Sequence, residues 1–160
     1  MRRIRGQLLL FSLLLVADQV SKWWIEQQPP FWQLTVIPGF FDLVKAHNFG
    51  VAFSILADWN HQWRTGMLLG LTIGIASMVA LWWCREQGRK GAVSWLLTCI
   101  LAGAVGNIWD RLQLGYVVDF IQWHIAINGK QYYWPAFNIA DACISVAVVA
   151  LLILQLMRKA

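Results

Sequence analysis

The chain has 160 residues, of which 59% are hydrophobic and only 13% are charged, and its formal net charge is +5. An average soluble domain carries about 25% charged residues, so this composition excludes an ordinary water-soluble protein and indicates an integral membrane protein. The positive charge is explained by the distribution of basic residues described below, and nothing in the sequence indicates a nucleic-acid partner.

Four apolar windows are long enough to cross the hydrocarbon core of a bilayer, which takes roughly 20 helical residues. They are residues 7–24, 65–84, 91–109 and 139–157. These windows predict a single membrane-embedded domain over residues 1–160, mainly α, with four transmembrane helices. The first window resembles the apolar part of a signal peptide, but Asp18 and Lys22 interrupt it where cleavage would occur, so we expect it to be retained.

The basic residues indicate how the helices are oriented. Most of the thirteen Lys and Arg residues lie at the two termini or between the second and third windows: Arg2, Arg3, Arg5, Arg85, Arg89, Lys90, Arg158 and Lys159. Because cytoplasmic loops carry such an excess, both termini are predicted to be cytoplasmic and the two long connections to face outward. The same basic surface favours contact with anionic membrane lipids.

Each of the two long connections contains two strand-like runs separated by turn residues. The predicted strands are, in chain order, residues 34–36, 40–47, 121–127 and 130–134. Pro38-Gly39 separates the first two, and Asn128-Gly129, which favours the type I′ turn of a β-hairpin, separates the last two. We therefore expect a small extracytoplasmic β-sheet.

Most of the usual hydrolytic machineries do not fit this sequence. The three histidines lack the spacing of a zinc site: His47, His61 and His124. No serine lies in a G-x-S-x-G motif. The three cysteines all lie in apolar windows, away from any histidine, and predict no disulfide framework: Cys84, Cys99 and Cys143. Carboxylates remain as the candidate reactive groups.

Four aspartates lie near the outer ends of the apolar windows: Asp18, Asp110, Asp119 and Asp141. An ionisable residue at a hydrocarbon boundary is costly and is therefore a functional candidate. Asp119 has apolar neighbours and no adjacent cation, and Asp141 lies at the start of the fourth window. Two carboxylates brought together there cannot both ionise easily, and such a pair is the acid and base of an aspartic protease.

Five short motifs follow one another along nearly the whole chain: Asp18–Lys22, Asn48–Phe53, Gly106–Arg111, Val117–Phe120 and Phe137–Asp141. This ordered set resembles the bacterial lipoprotein signal peptidase (signal peptidase II) family, although each motif alone is weak. The sequence departs from the family pattern at Phe49 and Val51, where Thr and Ala are more usual.

The resemblance implies that Asp119 and Asp141 form the catalytic dyad of an aspartic endopeptidase. Such an enzyme cleaves diacylglyceryl-modified prolipoproteins immediately before the lipidated cysteine, in the bacterial cytoplasmic (inner) membrane, with its active site near the extracytoplasmic face. The resemblance also implies four membrane helices, a small outer sheet, a mobile outer helix near residues 54–63, and no metal or organic cofactor. We expect the enzyme to be a monomer.

Several polar residues of the motifs are candidates for supporting or substrate-binding roles. Asp110 next to Arg111 is interpreted as a structural ion pair rather than a catalyst. Asp18 and Lys22 have the i, i+4 spacing of a helical ion pair, and the resemblance gives Asp18 a supporting role.

Three asparagines in the motifs have two possible roles: Asn48, Asn107 and Asn138. They either orient the two aspartates or the substrate backbone, or only satisfy helix ends, for which asparagine is well suited. Gly103 and Gly106 are expected to allow close contact between helices.

The sequence leaves two other classes of function open. A small membrane transporter also places acids in membrane helices, but it is expected to show broken helix pairs or internal repeats, which the sequence lacks. A non-catalytic lipoprotein-binding factor would not need both aspartates.

Overall fold

The computed structural model describes residues 2–50, 61–87 and 91–157. Its elements are, in chain order, α1 (Arg2–Glu26), β1 (Gln33–Ile37), β2 (Phe41–Asn48), α2 (His61–Glu86), α3 (Val93–Leu114), β3 (Val117–Ile127), β4 (Lys130–Tyr133) and α4 (Ile139–Met157). The outer helix expected near residues 54–63 falls mainly on residues 51–60, which lie outside the described residues.

The four helices coincide with the four apolar windows, and all are long and apolar enough to cross a membrane. The bounds of α4 equal the predicted window, whereas α1, α2 and α3 each continue for two to five residues beyond the window at one or both ends. The end of α3 is set by Gly115, which adopts a left-handed conformation (φ 81°) and donates its N–H to the carbonyl oxygen of Arg111.

Helix α3 is the centre of the bundle and packs against α1, α2 and α4. Small residues allow the close approach. A Cβ atom added at Gly106 would lie 2.5 Å from Oδ2 of Asp18 on α1, and one added at Gly103 would overlap the carbonyl oxygen of Ala140 on α4. The expected role of these two glycines in close helix contact is therefore confirmed.

The four strands form one antiparallel sheet in the order β1-β2-β3-β4. The turn between β3 and β4 has positive φ at both Asn128 (50°) and Gly129 (75°), as a type I′ turn requires. Strand β3 begins at Val117, earlier than predicted, because residues 117–119 pair with residues 46–48 of β2. Asp119 therefore lies within a strand.

The sheet lies at the end of the bundle where α1 and α3 end and α4 begins, as the connections require. Ile25 of α1 packs with Val118 and Phe120 of β3 in a buried cluster. This cluster fixes the start of β3, and with it Asp119, against the helix ends.

Candidate active site

Asp119 is buried on β3, opposite Ala46 of β2, and is 3% exposed. Its Oδ1 accepts a hydrogen bond of 2.8 Å from Nδ2 of Asn138, and its side chain is also hydrogen-bonded by Asn48. The Oδ1 atom of Asn48 accepts the backbone N–H of Gly50 at 2.8 Å, which leaves its amide group to donate to the carboxylate.

The two departures from the family pattern lie next to Asn48. Phe49 packs its ring against that of Tyr116, with centroids 5.3 Å apart. Val51 lies outside the described residues.

Asp141 lies in the first turn of α4 and takes part in a reciprocal cap. Oδ1 of Asn138 accepts the backbone N–H of Asp141 at 2.9 Å, and Oδ2 of Asp141 accepts the backbone N–H of Asn138 at 3.3 Å. Nδ2 of Asn107, on α3, donates to the other oxygen of Asp141 at 2.7 Å. The backbone N–H of Asn138 and the side-chain amide of Asn107 thus each hold one oxygen of the Asp141 carboxylate.

Asn138 joins Asp119 to Asp141, because it contacts both of them and is itself fully buried. Both roles considered for the asparagines apply to it, since its oxygen caps α4 while its amide nitrogen contacts Asp119. Asn107 is different: it lies inside α3, caps nothing, and contacts Asp141 directly. We call Asp119 and Asp141 the carboxylate pair.

Burial and, to a smaller extent, the nearby charge of Asp141 together raise the pKa of Asp119 from 3.8 to about 7. The hydrogen bonds from Asn48 and Asn138 and the positive charge of Lys22 act in the opposite direction but are outweighed. A carboxyl group in this state takes up a proton near neutral pH, as one member of an acid and base pair must.

A second group of buried charges, here called the Lys22 cluster, consists of Asp18, Lys22 and Asp110. Nζ of Lys22 lies 2.8 Å from Oδ2 of Asp18 and 2.9 Å from Oδ2 of Asp110, and all three side chains are at most 3% exposed. The predicted pairing of Asp18 with Lys22 is confirmed. Lys22 also donates to Oδ1 of Asn107 at 3.0 Å, which links the cluster to the carboxylate pair.

The prediction that Asp110 pairs with Arg111 is wrong. Asp110 pairs with Lys22, while Arg111 donates from its guanidinium to the backbone oxygen of Asn107 at 3.3 Å. Adjacent residues of a helix do not face each other, whereas Lys22 approaches from the neighbouring helix. The charge of Arg111 still acts on the carboxylate pair from a partly exposed position.

Asp18 has a function in the structure that the sequence did not reveal. Its Oδ1 accepts the backbone N–H of Ala140 at 2.9 Å, so a residue of α1 satisfies one of the free donors at the start of α4. Gln19, also missed, donates to Asp18 at 3.1 Å and to Asp110 at 3.0 Å. The sequence signal for these contacts was the presence of Asp18, Gln19 and Lys22 near the outer end of an otherwise apolar window.

Comparisons with known proteins agree with the motif pattern. Residues 10–157 match the family model described as signal peptidase (SPase) II. The chain is 35% identical over 150 residues to the lipoprotein signal peptidase of Xylella fastidiosa (strain M12), covering 92% of this chain and 87% of that protein. It is 36% identical over 154 residues to the lipoprotein signal peptidase of Xanthomonas oryzae pv. oryzae (strain PXO99A), covering 96% and 90%. A solved structure of a bacterial membrane enzyme has a TM-score of 0.82 and 28% identity, covering 98% of this chain and 91% of that one.

Proposed function

We propose that this chain, which belongs to the signal peptidase II family, is an aspartic endopeptidase that removes the signal peptides of lipoproteins. The observation that carries the proposal is the joining of Asp119 and Asp141 through Asn138. Asp119 is buried and Asp141 is half-buried, and Asn138 donates a hydrogen bond to each carboxylate. With the pKa of Asp119 raised to about 7, the two form a pair that holds one proton near neutral pH.

The proposed reaction follows from the sharing of that proton. The ionised carboxylate takes a proton from a water molecule, and the resulting hydroxide forms a bond to the carbon of the scissile peptide. The protonated carboxyl group donates a hydrogen bond to the carbonyl oxygen as negative charge develops there. When the C–N bond breaks, the proton taken from water passes to the leaving amine. The proton belongs to the pair rather than to one aspartate.

The surrounding polar residues are proposed to hold the pair in place. Asn48 and Asn138 orient Asp119, and Asn107 orients Asp141, each through an amide donor. Asp110 stabilises the start of β3 by accepting the N–H of Val118 at 3.2 Å. Arg111 is partly exposed beside the carboxylates, a position that supports a role in binding the substrate backbone.

The proposed substrate is a diacylglyceryl-modified prolipoprotein, cleaved immediately before the lipidated cysteine. Such a molecule has two acyl chains and a signal helix in the lipid, so it reaches the site sideways through the membrane. An apolar groove of about 520 Å³ between α2, α3 and α4 supports this route, because its lining includes Ile144, one helical turn from Asp141, and extends to Gln155.

The proposed topology has both termini in the cytoplasm and the sheet on the extracytoplasmic side of the inner membrane. Arg3, Arg5 and Arg85 lie at the opposite end of the bundle and support this orientation. The carboxylate pair, lying where the sheet meets the helix ends, would then be near the extracytoplasmic surface. We also propose that residues 1–160 work as a single domain and as a monomer.

The two alternatives have less support. The described parts of the four helices are continuous, without the broken helix pairs expected of a transporter. A non-catalytic binding factor gives no reason for two carboxylates to be buried together at such a cost.

The test compares two forms of one precursor peptide, with and without the diacylglyceryl group on its cysteine, using purified enzyme in detergent and in vesicles. We expect cleavage of the lipidated form before the cysteine and little or none of the unmodified form. Equal rates on both forms would contradict the proposed substrate class, and cleavage of neither would contradict the proposed activity.

A further inference from the structure

Lys22 is surrounded by the polar groups of the site without forming an ion pair with Asp119 or Asp141 in the described part of the chain. A lysine ammonium group has three N–H donors and no acceptor. The three have one acceptor each: Asp18 at 2.8 Å, Asp110 at 2.9 Å and the side-chain oxygen of Asn107 at 3.0 Å. Lys22 is only 3% exposed, so water does not compete for these donors.

This arrangement determines which way the Asn107 amide points. Because Lys22 can only donate, it must face the oxygen of Asn107, and the NH₂ group is then directed at Asp141. The reversed amide would place an NH₂ group against the ammonium and an oxygen against a carboxylate, and both contacts are repulsive. A weaker contact from Nδ2 of Asn138, at 3.3 Å to the same oxygen, favours the same orientation.

We propose that Lys22 is a positioning residue: by fixing the Asn107 amide it holds Asp141 in place, and it supplies a positive charge beside the carboxylate pair. The inference rests on the proposed function, because it assigns Lys22 a part in the reaction of that pair. It goes further by separating Lys22 from a purely structural role, in which the ammonium would do no more than neutralise Asp18 and Asp110.

The charge of Lys22 faces groups on every element around it. These are Asp18 on its own helix, Asp110 on α3, Asp141 on α4 and Asp119 on β3. The charge of Arg111, also on α3, acts on Asp110, Asp119 and Asp141 as well. At Asp119, the only member of the pair outside the helices, Lys22 lowers the pKa and so opposes burial and Asp141. Removing the ammonium should therefore move the loss of the shared proton to higher pH.

The experiment removes Lys22 together with one of its two carboxylates, so that the net charge of the Lys22 cluster is the same as in the parent protein. The double variant Lys22→Met/Asp110→Asn is compared with Asp110→Asn alone, so that the two proteins differ only in Lys22. The measurements are kcat, KM and the pH profile per folded molecule on a lipidated precursor. We expect the double variant to have a kcat lower by about 10-fold to 100-fold, the usual effect of a misplaced group in an acid and base reaction, with KM little changed. Its alkaline limb should also lie at higher pH.

If both proteins have the same kcat and the same pH profile, Lys22 only balances charge and the proposal is wrong. If the double variant does not fold, Lys22→Met/Asp18→Asn is compared with Asp18→Asn. This second pair of proteins lacks Asp18 instead of Asp110, and the same differences in kcat and pH profile are expected. Lys45→Met is the matched control, since Lys45 lies 3.8 Å from Glu26 and outside the Lys22 cluster, and we expect it to keep the parental kcat.

Asp119→Asn, measured in parallel, separates the two proposals. An active Asp119→Asn overturns the proposed function itself. An inactive Asp119→Asn, together with a double variant that behaves like its parent, overturns only the role of Lys22.

Discussion

Two pairs of aspartates lie next to each other in this protein and are held in opposite ways. Asp18 and Asp110 share the ammonium group of Lys22. The carboxylate pair, Asp119 and Asp141, is held by asparagine amides and backbone N–H groups, and no cation of the described residues forms an ion pair with it.

The comparison indicates that the partners of a carboxylate, rather than its burial alone, distinguish the proposed reactive pair from the two aspartates paired with Lys22. A buried carboxylate beside a buried ammonium is stabilised as an anion. A buried carboxylate near a second one, with neutral hydrogen-bond donors and no ion pair, is driven to take up a proton, as the raised pKa of Asp119 indicates. Under the proposed function, four similar side chains within one site therefore divide into two structural and two reactive groups.

The largest effect is expected on removing either member of the carboxylate pair. Asp119→Asn and Asp141→Asn keep the size of the side chain but can neither accept nor share the proton, so cleavage should fall by about 1,000-fold or more. Activity per folded molecule on a lipidated precursor is the measurement. Asp42→Asn is the matched control, because Asp42 is a buried aspartate of the sheet outside the site, 3.3 Å from Nδ1 of His124. Substantial turnover by Asp119→Asn or Asp141→Asn would contradict the proposal that the carboxylate pair is reactive.

The effects on stability should be the reverse of the effects on activity, with Asp110→Asn more destabilising than Asp119→Asn. Asp110→Asn removes one of the two carboxylates of Lys22 and the acceptor of the Val118 N–H, while Lys22 stays paired with Asp18. We therefore expect a loss no larger than the lower end of the roughly 3–5 kcal/mol that an uncompensated buried charge costs. A loss at the lower end of that range would lower the melting temperature by roughly 10 °C. Asp119→Asn should leave the melting temperature unchanged or raise it, since it removes one of two crowded carboxylates. A stable, inactive Asp110→Asn beside an unstable, active Asp119→Asn would mean that the two roles are exchanged.

A steric change beside Asp18 should have a smaller effect. In Gly106→Ala the new methyl group would lie 2.5 Å from Oδ2 of Asp18, so the carboxylate that caps α4 must move. Overpacking of this kind typically costs about 1–3 kcal/mol, and we expect a lower melting temperature together with lower activity. Gly74→Ala on α2 is the control, since it has open space around it and should be neutral or slightly stabilising. Equal behaviour of the two variants would show that the approach of α1 to α3 is not tight.

The last effect concerns pH. Because folding raises the pKa of Asp119 from 3.8 to about 7, the folded state binds this proton more tightly than the unfolded state. Its contribution to stability therefore decreases as pH rises across that range, and Asp119→Asn should have a flatter profile of melting temperature against pH there. In the parent, kcat/KM should fall above about pH 7 as the shared proton is lost. A parent profile as flat as that of the variant would argue against a raised pKa.

Much of the fold was predictable because membrane helices and hairpins are local patterns. Four long apolar runs predict the four helices, and the Asn128-Gly129 turn predicts the β3–β4 hairpin. The start of β3 was not predictable, because residues 117–119 are ordered by pairing with β2, about 70 residues away in the chain. Residues 51–60 lie outside the described part of the chain, so the outer helix stays a prediction.

The polar contacts of the site were less predictable than its residues. The motifs supply the aspartates and asparagines, but Lys22 contacts Asn107 across 85 positions of sequence, and Asp18 caps α4 across 122. Sequence proximity suggested Arg111 as the partner of Asp110, whereas the packing of α1 against α3 selects Lys22. Such pairings depend on helix packing, which no local pattern encodes.

The most direct test of the division into structural and reactive carboxylates is infrared spectroscopy of protonated carboxyl groups in the purified enzyme. At about pH 6, below the pKa of about 7 for Asp119, the parent should contain one protonated carboxyl group that is lost at higher pH. That signal should be missing from Asp119→Asn, should be lost at lower pH in Asp141→Asn, where only burial raises the pKa of Asp119, and should be retained in Asp110→Asn. A parent without the signal, or a signal that persists in both dyad variants, would contradict the sharing of one proton by Asp119 and Asp141.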